Sequence, residues 1–515
     1  MKVDCINFEK TGQFSRIFLD YINQKNSLND FYTTFPSLEN IEELSKNYTL
    51  VNRGALVQSL NKQYEEFSIT KITSQNIDLL QKENTFTVTT GHQLNLATGP
   101  LFFVFKIITT INLAKELKAK YPNKDFVPIF WMASEDHDFE EINHFYLFGK
   151  KYEWNSVQKG AVGRFSTKGI SEVLSQLPET IELINEAYSQ PTLSKATRYL
   201  VNKLFGEQGL VILDADDVNL KTEFSSIVEK ELFERKSEKA VLATSEKLEA
   251  LDYKAQVHPR EINLFYLTDD LRERILFEEG VFKVNNRTIA FSEEEIKEEL
   301  KNHPERFSPN VILRPVYQQQ ILPNLAYIGG PGELAYWFQL KGVFELYNIP
   351  FPIIMPRNFG LLLDQNTQHK IEKVGLNEED LFKSYNELKT AYLHEHSQIE
   401  PSISEEVEGI KTVFHKVIEK ASSVDGSLQG AMEAEWQRLE KQFDSIEKRI
   451  KKAEERKHET ALKQLESLKE KLFPNGGLQE RHENIFSFLV NEPELLNTLT
   501  EKCNPLDFSM NVFNL

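Results

Sequence analysis

Three short stretches concentrate the residue types that bond formation needs. The first is Thr90-Gly91-His92-Gln93-Leu94-Asn95-Leu96-Ala97-Thr98-Gly99-Pro100. A β-rich run, 86–90, precedes it, and Pro100 opens a helical pattern that continues to about Lys120. A loop between a strand and a helix N-terminus offers backbone N–H groups and the positive end of a helix dipole, which suits an anion. Its two glycines permit close approach. It matches neither GxGxxG nor the P-loop, because no Gly-Lys-Ser/Thr triplet follows. A structural reading, with His92 as a hydrogen-bonding residue in a glycine-bearing connection, stands beside the chemical one.

The second stretch, Ser134-Glu135-Asp136-His137-Asp138-Phe139-Glu140-Glu141-Ile142-Asn143-His144, follows the strand pattern 127–132. Ligands of parallel sheets bind at the C-terminal strand ends, so this cluster is expected beside the first loop. Asp136 or Asp138 could orient His137, whose ordinary pKa suits proton transfer, and the carboxylates suit an amine. Zn²⁺ or Mg²⁺ is the rival occupant, yet His137 and His144 are seven apart and match no zinc motif, so no metal is assigned. The plainest reading is an acidic helix N-terminus favoured by the dipole.

The third stretch runs from Arg314-Pro315-Val316-Tyr317-Gln318 to Tyr327-Ile328-Gly329-Gly330-Pro331-Gly332-Glu333-Leu334-Ala335-Tyr336-Trp337. Arg314, at the end of the expected strand 311–314, can fork onto a carboxylate, and Glu333 can receive an ammonium. A buried ion pair is an equal reading of Arg314. No Gly-x-Ser-x-Gly elbow occurs, and neither Cys5 nor Cys503 has a local histidine, which disfavours a covalent acyl-enzyme.

These stretches need an α/β scaffold to bring them together. Strand 86–90, helix 100–120 and strand 127–132 form a parallel crossover unit. The run 210–214 reads as another buried strand, and 350–356 as the last core strand. The stretches 145–200 and 218–308 read as insertions into a core of 1–375. From 376 to 475 the character changes. Leu428, Met432, Trp436, Leu439, Phe443, Ile446, Ile450 and Ala453 follow three-and-four spacing, as do Ile403, Val407, Ile410, Phe414, Val417, Ala421 and Val424. Asp425-Gly426 between the two series favours an antiparallel coiled-coil arm, paired either within the chain or between copies. Residues 476–515 regain a core-like composition.

The bulk numbers exclude whole classes. With 60 Lys plus Arg against 78 Asp plus Glu, the formal charge of -18 argues against nucleic acid as the main partner. Two distant cysteines build no disulfide framework. The acidic residues near the N-terminus argue against a signal peptide. The most apolar stretch, 101–114, is interrupted by Lys106 and is shorter than the roughly 20 residues of a membrane helix. A cytoplasmic location is the resulting expectation.

The strings TGHQLNLATGP, PIFWMASEDHDFEEINH, GLVILDADD, RPVYQQQILPNLAYIGGPGELAYW and PNGGLQERHEN, in this order and flanking a coiled coil, resemble the bacillithiol cysteine-adding enzyme family over nearly the whole chain. The resemblance implies a Rossmann-like parallel-sheet core with connecting-peptide insertions and a coiled-coil domain that promotes homodimers. It also implies a ligase that adds L-cysteine to the amine of glucosaminyl malate, the last step of bacillithiol synthesis. Residue by residue, it places Thr90, Gly91, His92, Gln93, Asn95 and Gly99 in a core pocket, with His92 stabilising anionic charge. Asp136, His137 and Asp138 would bind or deprotonate the amine, with Asn143 nearby. Arg314 would hold a carboxylate beside Glu333 and Tyr336. ATP or ADP stays open as a cofactor. The first loop also loosely resembles that of class I aminoacyl-tRNA synthetases, although no Lys-Met-Ser-Lys-Ser loop follows. A nucleotidyl transferase or metal-dependent hydrolase on the same pocket, and a non-enzymatic coiled-coil assembly protein, are the alternative readings.

Overall fold

The computed structural model describes residues 1–515 except 47, 49, 50 and 398–401. The expected core 1–375 and arm 376–475 each include some of these positions, which lie outside the described residues. The chain divides into two units, 1–362 with 477–513 and 363–476 with 514–515.

In the first unit, near-continuous apolar or threonine-rich runs become strands buried on both faces, as parallel sheets require. They are β1 (Thr85–His92), β2 (Asp125–Met132), β3 (Val211–Asp214), β4 (Asn324–Gly329) and β5 (Ile353–Pro356). The sheet order is β5-β4-β1-β2-β3, all parallel. Pairings such as His92 with Met132, Met132 with Asp214 and Gly329 with Pro356 align the C-terminal ends on one edge. The chain reverses its direction of travel across the sheet between β1 and β4, and a crevice opens at such a switch point. The threonines of β1 are paired rather than exposed. Thr87 and Thr89 donate to Asn324 Oδ1 at 3.2 and 2.7 Å, so the polar groups are satisfied inside the core.

Helix α1 (Phe102–Lys120) follows β1 and buries nearly every side chain from Phe103 to Ala114, Lys106 included. A helix apolar on all faces must lie inside the protein, and its Phe and Ile side chains each contribute about 1.5–3 kcal/mol on burial. Helix α2 (Leu193–Phe205) precedes β3. The expected strand at 311–314 is instead a turn leading into helix α3 (Arg314–Ile321). Pro315 in the first helical turn explains the difference, since a short apolar run alone does not separate strand from helix. Helix α4 (Pro331–Tyr347) follows β4 and starts at the Gly330-Pro331 pair. Between the core strands lie an antiparallel pair, His144–Leu147 with Lys150–Glu153, and an antiparallel sheet that includes Leu264–Thr268, Leu271–Glu278 and Phe307–Pro309.

In the second unit, helices α5 (Ser404–Val424) and α6 (Leu428–Lys457) form an antiparallel hairpin about the 425–426 turn, with the Phe414 and Trp436 rings 5.4 Å apart. The second heptad series breaks at His458, where α7 (Glu459–Leu472) begins. Leu462 and Leu465 of α7 pack with Val374 and Leu388. Ile410, Val413, Val417, Ile446 and Ile450 remain exposed on α5 and α6.

Candidate functional site

Gly91 and His92 end β1 at the switch point, and the backbone beyond them is strained. Ala97 and Thr98 both have positive φ, at 49° and 72°, before Gly99 at 66°. Non-glycine residues there cost about 1–3 kcal/mol each and persist only where neighbours enforce them. Asn484 supplies that enforcement by donating to the carbonyls of Ala97 at 2.6 Å and Gly99 at 2.7 Å, while the Ala97 N–H donates to the Tyr188 hydroxyl. Gly99 is required for space, because a Cβ would lie 2.6 Å from that of Asn95. Thr90 donates to the Ile328 carbonyl at 2.9 Å inside the sheet and lends the crevice no free group.

Around Gly91 the structure gathers a charged cluster. Lys106, 1% exposed, reaches both carboxylate oxygens of Glu333 at 2.9 and 2.8 Å and also the Gly91 carbonyl. Tyr327 donates to Glu333 Oε1 at 2.7 Å, and the Gly330 N–H donates to Oε2 at 2.9 Å, which caps α4. Burial pushes the Lys106 ammonium below the usual lysine range, with Glu333 opposing. Burial would raise Glu333, but the Lys106 charge and these hydrogen bonds bring it below the usual carboxylate range. Glu333 therefore has its acceptors engaged within the chain, which favours a structural counter-ion over an ammonium receptor.

Arg314 stands at the first position of α3, not at a strand end, with its guanidinium against the rings of Trp131 and Tyr327. Tyr336 is in the same neighbourhood. Arg314 Nη1 donates to Gln318 Oε1 at 3.2 Å, whereas Nη2 is buried with no hydrogen-bond partner among the described residues. His92 packs against Phe102 and Phe103, and its Nε2 is likewise buried and unpartnered among the described residues. Burial and the Lys106 charge lower its pKa to about 3, so at neutral pH it is an uncharged imidazole. Arg357, just past β5, is locked onto Glu480 by bonds of 3.0 and 2.6 Å, with both side chains buried.

The acidic stretch after β2 is largely pinned. Glu135 turns inward to Lys221. Asp136 accepts from Gln93 Nε2 at 2.9 Å and from the His137 N–H at 2.7 Å. Burial would raise Asp136, but hydrogen bonds from His137 and Gln93 together with the Arg272 charge hold it well below the usual carboxylate range. It is thus an ionised anchor rather than a proton acceptor. Arg272 Nη1 lies 2.8 Å from His137 Nδ1, so that nitrogen accepts and Nε2 carries the proton in neutral His137. Asp138 is exposed. Asn143 bonds His144 through Oδ1 and Nδ1 at 3.0 Å. Among the described residues, no group of three or more His, Cys, Asp or Glu is arranged to hold a metal ion.

The structure therefore brings Gln93, Asp136 and His137 together, and separately Gly91, Arg314, Glu333 and Tyr336, with His92 within the electrostatic reach of Lys106 and Glu333. Sequence reasoning missed Lys106, Arg272 and Arg164, and gave no role to Tyr327 of the third stretch. Lys106 had a readable signal, a single charge inside the otherwise uncharged stretch 102–114 of its helix. Arg164 lies in a cavity of about 400 Å³ with Ser134, Asp214, Asp216 and Asp269, bonding Asp216 at 2.8 and 2.9 Å. Its place in an irregular segment gave no such signal.

Residues 1–358 match the family model described as bacillithiol biosynthesis BshC, N-terminal Rossmann-like domain, and 360–515 match the C-terminal coiled-coil domain of the same family. Relatives named "Putative cysteine ligase BshC" match most or all of the chain. The protein from Flavobacterium johnsoniae is 46% identical, covering 100% of both chains, and that from Cytophaga hutchinsonii is 44% identical over 99% of this chain and 98% of its own. The one from Bacillus cytotoxicus is 30% identical over 85% and 86%. With both domain models matched in order and full-length relatives at this identity, the chain belongs to the bacillithiol biosynthesis BshC family.

Proposed function

We propose that this chain is a cysteine ligase that joins the carboxyl of L-cysteine to the amine of glucosaminyl malate. The observation of this structure that supports the reading best is Arg314, a buried guanidinium at the end of the parallel sheet whose Nη2 has no partner among the described residues. Such a donor asks for a carboxylate, which both substrates carry. Neutral His92, with Nε2 unpartnered, donates to the oxygen that gains charge when the amine attacks the carboxyl carbon. Ionised Asp136, fixed by Gln93 and Arg272, anchors the ammonium, and exposed Asp138 receives a proton as the amine becomes nucleophilic. Forming an amide from a free carboxylate in water is uphill, so the carboxyl is activated before attack, with ATP as the proposed energy source. The exposed apolar stripe of α5 and α6 is the proposed seam of a homodimer.

The test incubates the full chain with L-cysteine and glucosaminyl malate, with and without Mg-ATP, and follows mass. Gain of the amide product only with nucleotide supports the reading. Product from wild type and equally from Arg314→Met removes Arg314 from it, and no product in any condition refutes the ligase.

A further inference from the structure

A cavity of about 280 Å³ is lined by His92 and Gln93 together with residues that have no role in the mechanism above. Its lining is of two kinds. Phe102 and the Tyr146–His482 pair, with ring centroids 3.7 Å apart at 34°, present aromatic faces. His92, Gln93, Asn95, Glu141, His144, Arg481 and His482 present polar atoms, and with Arg481 and Glu141 the lining carries both signs of charge. Three of those atoms, His92 Nε2, Asn95 Oδ1 and His482 Nδ1, are closed to solvent without a hydrogen-bond partner among the described residues. The nearest ionic neighbour of His482 Nδ1 is Glu483 Oε1 at 3.5 Å. Buried polar atoms are nearly always paired, so three around one cavity mark a site that a ligand completes.

The kind of ligand follows from the groups. Neutral imidazole and an amide oxygen between them need partners that both donate and accept, and a hydroxyl does both. An anion only accepts and would leave Asn95 Oδ1 unpaired. Glu141, whose Oε2 already accepts from Gln93 Nε2 at 2.8 Å, adds a carboxylate suited to a hydroxyl or an amino group. The aromatic plate suits a ring with an apolar face. A pyranose with hydroxyls around its rim combines these features.

We propose that this cavity is the hexosamine subsite, in which the sugar ring stacks on the Tyr146–His482 pair and its hydroxyls satisfy Asn95 and His482, leaving His92 Nε2 for the reacting oxygen. The identity of the sugar rests on the ligase reading; the sugar-binding chemistry rests on the cavity. Placed here, the ring lies beside His92, which puts its substituents next to the group assigned to the reacting oxygen.

The experiment uses the full chain as wild type, Tyr146→Ala, Tyr146→Phe and His482→Ala, each checked for an unchanged unfolding midpoint. The KM for glucosaminyl malate should rise about tenfold or more in Tyr146→Ala, while the KM for cysteine stays within about twofold and Tyr146→Phe stays near wild type. Saturation-transfer NMR with D-glucosamine should give a signal that Tyr146→Ala abolishes. An unchanged amino-sugar KM in Tyr146→Ala overturns the subsite while leaving the ligase intact. A Tyr146-dependent signal from adenosine but not from D-glucosamine also overturns it. A Tyr146-dependent glucosamine signal without ligation by wild type upholds the subsite and rejects the ligase.

Discussion

His92→Gln separates the imidazole's charge state from its hydrogen bonding. In the folded chain, burial and the Lys106 charge hold the His92 pKa at about 3, against 6.5 for an ordinary histidine. Between these values the native state binds fewer protons at this site than the unfolded chain does. Stability from this group is therefore fully present above pH 6.5 and is lost as pH falls toward 3. One pH unit below 6.5 the loss is about 1 kcal/mol, the figure reduced slightly because the ring is not wholly shielded from water. Glutamine keeps a hydrogen-bonding group but has no proton to lose. The stability difference between wild type and His92→Gln should thus shift by about 1 kcal/mol in the variant's favour between pH 7.5 and pH 5.5. Urea unfolding at the two pH values, with matched slopes, reads this directly. Parallel pH dependences, or a His92 ring resonance that titrates near 6.5, would refute the buried neutral imidazole. The same result would also end its role as an uncharged donor to the reacting oxygen.

The other outcomes follow from particular contacts. Glu480→Gln strips the counter-charge from a buried Arg357 and should cost about 3–5 kcal/mol in chemical unfolding, much of it recovered by the double change Arg357→Met with Glu480→Met. Arg314→Lys keeps the charge but loses the fork, and should lower kcat/KM in the ligation assay by about 10- to 100-fold. Leu439→Asp combined with Ile446→Asp should halve the mass seen by light scattering if α6 forms the seam, and an unchanged mass rejects that seam.

What was legible in the sequence follows from which physical signals are local. Strands β1, β2, β3 and β5 were readable because burial on both faces leaves continuous apolar or threonine runs, and α5 and α6 because heptad spacing survives without knowledge of a partner. The loop after β1 was readable because glycines mark special backbone, and Gly99 is indeed where no Cβ fits. Arg314 was identified as a candidate but placed on the wrong element, since Val311-Ile312-Leu313 carries too few residues to show a period. Partnerships were not readable. Glu333 invites an ammonium until Lys106, 227 positions earlier in the chain, is found to occupy it. Asp136 resembles a base until Gln93 and Arg272 hold it ionised. In each case the sequence supplies a residue's chemical capacity, while its chemical state is set by a neighbour that only the crossover topology brings near. His92 carries this furthest. Its position invites a cationic role at an anion, yet the same fold that buries it at the end of β1 places a lysine close by and leaves it neutral. An uncharged donor stabilises an oxyanion without binding the ground-state carboxylate as tightly as a cation would, and that difference favours the transition state over the substrate.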